Sequence, residues 1–295
     1  WPSWAIHREY GLLSDLLPGR FPAGFYTDDT EMMISLLEAI VAEGELKPEA
    51  AAARFLANFH PERGYGGRIY GIMDQLAAGV PWDQAGTDSF GNGSAMRAAP
   101  VGFFFYDDLA ELKKAAVAQA SITHRHPEAL AGAVIQAGAV GLALRAGLEH
   151  RRVETESFIR TLAELAEDLD RHSSARLLTL LDLEPGSIPE LIPHIQALFL
   201  CDVRAIEAVP PAVASFIMTD DFVSAVTLAV NLGGDTDTLG AMAGAVAGAF
   251  YGQTALPLSW MQRLENGPLG RDFVIDLCQK AAALKINKIN GQSRT

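Results

Sequence analysis

Apolar positions along this chain fall three and four residues apart almost throughout, the spacing that gathers them on one face of a helix. Met32, Met33, Leu36, Leu37 and Ile40, directly after the polar run YTDDTE, predict a helix over residues 30–43, and residues 48–59 predict a second. Further helices are expected over 107–121 and over 128–147, the latter rich in alanine and glycine and therefore closely packed. Phe158, Leu162, Leu165 and Leu169 mark an amphipathic helix, and residues 188–200 another. Pro210 and Pro211 are expected to open one more, because proline suits the first turn of a helix. Residues 220–231 and a closing helix over 275–285, before a polar tail, complete the series. Residues 1–24, interrupted by Pro2, Pro18 and Pro22, are expected to be irregular. No alternating pattern of strand type persists for more than a few residues, so the fold class is all-α.

One stretch departs from this pattern. In NLGGDTDTLGAMAGAVAGAFYG, from Asn231 to Gly252, glycine returns every fourth residue at Gly240, Gly244, Gly248 and Gly252. Residues four apart share a face, so a helix here has one face nearly free of side chains, which predicts a central helix pressed closely by a neighbour. Before it, Asp235 and Asp237 alternate with Thr236 and Thr238 after the pair Gly233 and Gly234. In a turn or first helical turn these oxygens can converge, which suits a hard divalent cation. The plainer alternative is a solvated helix cap, since Asp and Thr are common there. A second cluster, YTDDTEMM from Tyr26 to Met33, again sets two carboxylates between two threonines at a helix start. If the two starts meet, the carboxylates repel one another unless cations lie between them, and a pair of cations is a known catalytic device.

Composition narrows the partners. The 295 residues are 49% hydrophobic, enough for a large core in one domain or two. A net charge of −13 disfavours nucleic acid and anionic membranes, and no basic run offsets it. The run from Gly240 to Gly252 is too short to span a bilayer, and neither a membrane span nor a signal peptide is expected. Cys201 and Cys278 lie far apart without metal-ligand spacing and read as small buried residues in a reducing cytoplasm.

Two glycine turns add candidate ligand contacts. HPERGYGGRIYG places Gly64, Gly66 and Gly67 around Tyr65, where free backbone N–H groups can meet a phosphate, although a plain loop has the same composition. In GNGSAMRAAP, Asn92 can adopt positive φ, and Asn92 or Ser94 can hydrogen-bond a ligand hydroxyl. THRHPE carries His124 and His126, which would not share a face on a helix; ligand contact or helix packing is the preferred role for them, with Pro127 at the first position of the next helix.

Taken in order, TDDTEM, RGYGG, GNGSAMR, THRHPEA and GGDTDTLGAMAGAVAGAFYG resemble the ADP-ribosylglycohydrolase family over about residues 26–252. The resemblance implies a compact single-domain orthogonal helical bundle over 1–295 with a dinuclear site for two Mg²⁺ or Mn²⁺ ions. It implies Thr27, Asp28, Asp29, Asp235, Asp237 and Thr238 as metal ligands, with the four aspartates catalytic. It further implies that Gly64, Tyr65, Gly66, Gly67, Asn92, Gly93, Ser94, Met96, His124 and His126 hold ADP-ribose carried on a protein or small molecule. The family's usual opening, a GDALG-like helix and a Glu-bearing loop with a candidate acid/base, has no counterpart before Tyr26, where Glu9 stands in a different context. Either that segment lies upstream or this chain lacks it and, with it, full activity. A non-catalytic ADP-ribose-binding or crystallin-like structural member is the alternative to a hydrolase.

Overall fold

The three-and-four spacing becomes helix, and residues 1–292, which the computed structural model describes, contain no β-strand. Helix α1 (Ser3–Tyr10) is followed, after a long loop, by α2 (Asp28–Glu43), α3 (Pro48–Ala57) and α4 (Gly67–Ala77). Three short helices, α5 (Trp82–Ala85), α6 (Gly93–Met96) and α7 (Ala99–Phe104), lead to α8 (Leu109–Ser121) and α9 (Pro127–Leu148). Then come α10 (Thr155–Ala166), α11 (Arg171–Leu178), α12 (Ile188–Leu198) and α13 (Ala205–Ile217). The chain closes with α14 (Phe222–Asn231), α15 (Thr236–Tyr251), α16 (Leu258–Arg263) and α17 (Arg271–Gln292). The last three residues of the expected polar tail lie outside the described residues.

Helix α9 is apolar on every side, and such a helix must be covered all round. It is the axis of the fold, packed by α6, α7, α8, α10, α13 and α15. Small residues allow this: a Cβ on Gly102 of α7 would stand 2.4 Å from the carbonyl oxygen of Ala137 on α9, so these backbones touch. By length and composition α9 could also cross a membrane, but 78% of its apolar window is buried inside the protein, the mark of a core helix. Most buried apolar residues form one cluster from Met32 to Ala247, and Ile34 and Leu37 of α2 form a smaller one with Leu277 and Ala281 of α17.

Several expectations are corrected. Part of the segment expected to be irregular is helix α1, anchored where Ser3 Oγ donates to the Asn231 carbonyl over 2.8 Å. Pro210 and Pro211 do not open a helix; they lie inside α13, which begins at Ala205. Each removes a helical N–H. The helix continues because residues 208–216 are buried on all sides, and packing outweighs the lost bonds. Cys201 is buried as expected, whereas Cys278 is exposed on α17.

Helix α15, by contrast, is the central, closely pressed helix its glycine repeat predicts, packed by α9, α13 and α14. Leu239, Met242, Ala243, Val246 and Ala247 point into the core, while the glycines flank α14. A Cβ on Gly240 would meet Val230 at 3.0 Å, on Gly244 Val226 at 3.5 Å, and on Gly248 Phe222 at 3.8 Å. Approach is closest at Gly240, and Gly240 and Gly244 also line a cavity of about 860 Å³ shared with the loop before α2.

Candidate active site

Two helix N-termini build the centre of the site. Thr27, in extended conformation, precedes α2, and its Oγ1 donates to Asp29 Oδ2 over 2.7 Å, which aims that carboxylate inward. Asp235 precedes α15 and is fixed from both ends. Its amide donates to the carbonyl of Cys201 over 2.9 Å, and its Oδ2 accepts from Asn92 Nδ2 over 2.7 Å. Gly233 and Gly234, at φ of +77° and +73°, turn the chain between α14 and α15. A Cβ on Gly234 would lie 1.9 Å from the Cys201 carbonyl oxygen. Gly234→Ala should therefore destabilise the protein by about 2 kcal/mol or more, read as a fall in denaturation midpoint. A variant with the parental midpoint would show that this turn can shift freely.

The aspartates meet as the two clusters suggested. Burial, then Asp29, Asp237 and Asp235, push Asp28 up to about 8. Burial and Asp237 push Asp29 up to about 7, against the pull of the Thr27 and Thr238 hydroxyls. Burial raises Asp235 as well, although Asn92 opposes the shift. Asp29 is 3% exposed, and its Oδ1 has no hydrogen-bond partner. A buried carboxylate oxygen without a donor, amid mutually repelling carboxylates, fits a cation as the missing partner. Among the described residues, no three His, Cys, Asp or Glu side chains already converge on one point as ligands. The fit rests on the orphaned oxygen and the crowded charge.

The expected glycine turns border this cluster, and not all their residues face it. A Cβ on Gly64, at φ +99°, would come within 3.9 Å of Asp28 Oδ1, so the RGYGG turn runs directly over that aspartate. Gly66 and Gly67 are exposed with open space around them, and Gly67 begins α4. Tyr65, in contrast, is buried: its ring meets Phe59 edge-on at 4.7 Å and its hydroxyl donates to Glu31 over 2.6 Å. In the second turn, Asn92 reaches Asp235, while Ser94 is wholly buried and donates to the Ala129 carbonyl over 3.1 Å. Met96 is buried too, and Gly93 faces His124, whose Cε1 a Cβ there would meet at 3.1 Å. Tyr65, Ser94 and Met96 thus hold the turns in shape from behind.

The two histidines divide. His126 caps α9, its Nδ1 accepting from the Glu128 amide over 3.2 Å ahead of Pro127 at the first helical position. His124 lies against the GNGSAMR turn, and its protonation follows from its neighbours. Arg97, fully buried, donates to Thr123 Oγ1 over 2.8 Å, and the same hydroxyl shares a hydrogen bond of 2.7 Å with His124 Nδ1. The other ring nitrogen, Nε2, lies beside Gly91 and Gly93. Burial, then Arg97 and Arg68, push the imidazole down to about 3, so at neutral pH it is uncharged.

Some residues of the site carry no signal of their own in the sequence. Phe90 is exposed, with the guanidiniums of Arg204 and Arg68 at 5.1 Å and 5.9 Å and His126 edge-on at 6.0 Å. Arg204 forks onto Glu128, and the backbone of 203–205 pairs with Phe90 and Asn92. One supporting loop therefore holds the GNGSAMR turn, while its Cys201 carbonyl holds the DTDT turn. Phe90 follows Ser89 just before the GNG triplet, and an aromatic at that place is the one clue available.

The chain is similar to known proteins. The chain is 32% identical to ADP-ribosylhydrolase ARH3 of Gallus gallus, over 81% of this chain and 74% of that one. It is 30% identical to ADP-ribosylhydrolase ARH3 of Homo sapiens, over 84% and 76%. Among solved structures, an ADP-ribosylglycohydrolase-related protein complex superposes with a TM-score of 0.72 at 27% identity, covering 94% of this chain and 88% of that one. The ADP-ribosylglycohydrolase profile matches residues 3–290, which includes both aspartate clusters, the two glycine turns and the THRHPE segment between them. With the helical fold and the paired Thr/Asp termini in place, the chain belongs to the ADP-ribosylglycohydrolase family.

Proposed function

We propose that this protein is a metal-dependent hydrolase that removes ADP-ribose from a modified protein side chain or small conjugate, breaking the bond at the anomeric carbon of the distal ribose. The observation that carries the reading is the crowding of Asp28, Asp29, Asp235 and Asp237 between two helix N-termini, with the Gly64–Gly67 turn passing over Asp28. Asp28, Asp29, Asp235 and Asp237, with Thr27 and Thr238, would hold two Mg²⁺ or Mn²⁺ ions. When bound, such ions supply positive charge for ribose hydroxyls and lower the pKa of a water.

The chain's own residues account for the rest. The amides of Gly64, Tyr65, Gly66 and Gly67, with the start of α4, can receive a diphosphate without a lysine cluster. Phe90 offers a stacking face for the base, flanked by its two arginines. His124 Nε2 can hydrogen-bond a ribose hydroxyl, and Asn92 orients Asp235. In the reaction, a water oxygen bonds to the anomeric carbon as the bond to the leaving group breaks, through an oxocarbenium-like transition state. An aspartate of the cluster takes the water's proton, and the leaving group departs with the bonding electrons and takes up a proton from solvent. A reducing cytoplasm suits the free Cys201 and Cys278.

Gly66→Val tests substrate placement. Gly66 has φ −63° and empty space around its would-be Cβ, so the variant should fold with an unchanged melting temperature. A branched side chain there obstructs approach to the amides. Calorimetry should show ADP-ribose binding at least about tenfold weaker, the order expected from lost charge-assisted hydrogen bonds. Equal affinity would remove this turn from the site. Binding without turnover of arginine- or serine-linked ADP-ribose, with divalent ion present, would instead favour a non-catalytic binding protein.

A further inference from the structure

We propose that Glu31 is a positioning residue for the substrate: from α2 its carboxylate clamps the 60–67 loop at a fixed height above the aspartate cluster, through Tyr65 and His60. The inference rests on the reading of Gly64–Gly67 as the diphosphate cradle. Glu31 follows Asp28 by three residues on one helix, so the two point to neighbouring places on the same face. Asp28 turns to the cluster. Glu31, wholly buried, turns beneath the loop.

Its carboxylate is used completely. Oε2 accepts from the Tyr65 hydroxyl at 2.6 Å and from the His60 amide at 3.0 Å, while Oε1 meets His60 Nδ1 at 2.7 Å and Arg63 Nε at 3.9 Å. These contacts grip the loop at His60, Arg63 and Tyr65, on both sides of Gly64. Arg63 ties the same segment across to Glu265 and to the Tyr26 carbonyl. A buried carboxylate is costly unless each oxygen is satisfied, and here the donors that satisfy it all come from one loop. Four residues farther along α2, Ser35 and then Glu38 hold Asn58, so one polar stripe of the helix fastens the approach to the loop as well. The geometry has a chemical consequence. The distance between a diphosphate on the loop amides and a ribose over the aspartates is set by how high the loop stands above α2. Displacement of about 1 Å at such a contact costs on the order of a hundredfold in rate.

The test uses Tyr65→Phe, which removes one oxygen and keeps the packing on Phe59, together with Glu31→Gln and the double variant. Calorimetry with ADP-ribose should show affinity weakened about tenfold in Tyr65→Phe, within the range for leaving a buried acceptor unpaired. The double variant should be no weaker than the worse single variant, because both break one clamp. Mn²⁺ affinity, titrated alone, should stay within about twofold of the parent, since loss of a loop contact leaves the aspartates in place. Hydrogen exchange should quicken across residues 60–69, which include the bonded amides of His60, Arg63 and Ile69, and stay unchanged in α9. Should Glu31→Gln fail to fold, Tyr65→Phe alone decides the matter. Unaltered ADP-ribose affinity and exchange in Tyr65→Phe, or a parallel loss of Mn²⁺ binding, overturns the clamp. A parent protein that binds no ADP-ribose overturns the cradle reading instead, while the exchange data still report on the clamp.

Discussion

Asp237→Asn is expected to lower turnover severely and, in the presence of a chelator, to melt at a higher temperature than the parent. The two effects share one cause. Asp237 raises both Asp28 and Asp29, so its negative charge works against folding whenever no cation offsets it. Asparagine keeps the shape and removes the charge, and each kcal/mol of repulsion relieved raises the melting temperature of a chain of this size by roughly 2–4 °C. The buried face of α15, from Leu239 to Ala247, is untouched by the change. With divalent ion present the order should reverse, because the parent gains binding energy that the variant largely lacks. Turnover should fall by on the order of a hundredfold or more, since even outer partners of a metal site cost 10- to 100-fold when removed. A variant that melts below the parent in chelator, or that keeps parental turnover, would place Asp237 outside the cluster.

Much of this was legible in the chain because the information was local. Each aspartate cluster sits directly before an apolar helical repeat, so TDDTEMM and DTDTLGAM declare both the helix and the residues gathered at its start. The alanine- and glycine-rich run of α9 likewise declared a closely packed helix. What misled was local preference opposed by packing. Pro210 and Pro211 look like a helix start, yet α13 runs through them because its neighbours enclose it. The glycine repeat of α15 did not mislead: it marks the side that α14 presses, while the core side is carried by ordinary Leu, Met, Val and Ala.

The supporting residues were harder to read, for a physical reason. Glu31 meets its partners 29 and 34 positions away, and Asn92 meets Asp235 across 143. Nothing beside them in the chain announces these pairings. Glu31 sits within TDDTEM and Arg97 within GNGSAMR, so the motifs contained them, but as letters without a role. Tyr65 shows the converse: a turn residue that looks suited to a ligand is instead committed to Glu31 and Phe59. Short motifs reveal which backbone comes near a ligand more reliably than which side chain touches it.

The same carboxylate crowding predicts an unusual pH profile. In chelator, the melting temperature should fall as pH rises from about 4 to about 8, where many proteins are at or near their most stable. The sign follows from proton counting. An unfolded aspartate releases its proton near pH 3.9. In the folded protein Asp28 and Asp29 keep theirs up to about 8 and about 7. Between these limits the folded state binds more protons than the unfolded, so stability decreases with rising pH and levels off above the folded values. Millimolar Mg²⁺ should remove the decline by competing with those protons. At a hundred times its dissociation constant, an ion also adds about 2.7 kcal/mol of stability. The benefit of Mg²⁺ should therefore be small near pH 5 and largest near pH 8, and Asp28→Asn with Asp29→Asn should flatten both curves. A melting temperature that stays level from pH 5 to 8 in chelator, or an equal Mg²⁺ effect at both ends, would mean that the four aspartates do not share one field.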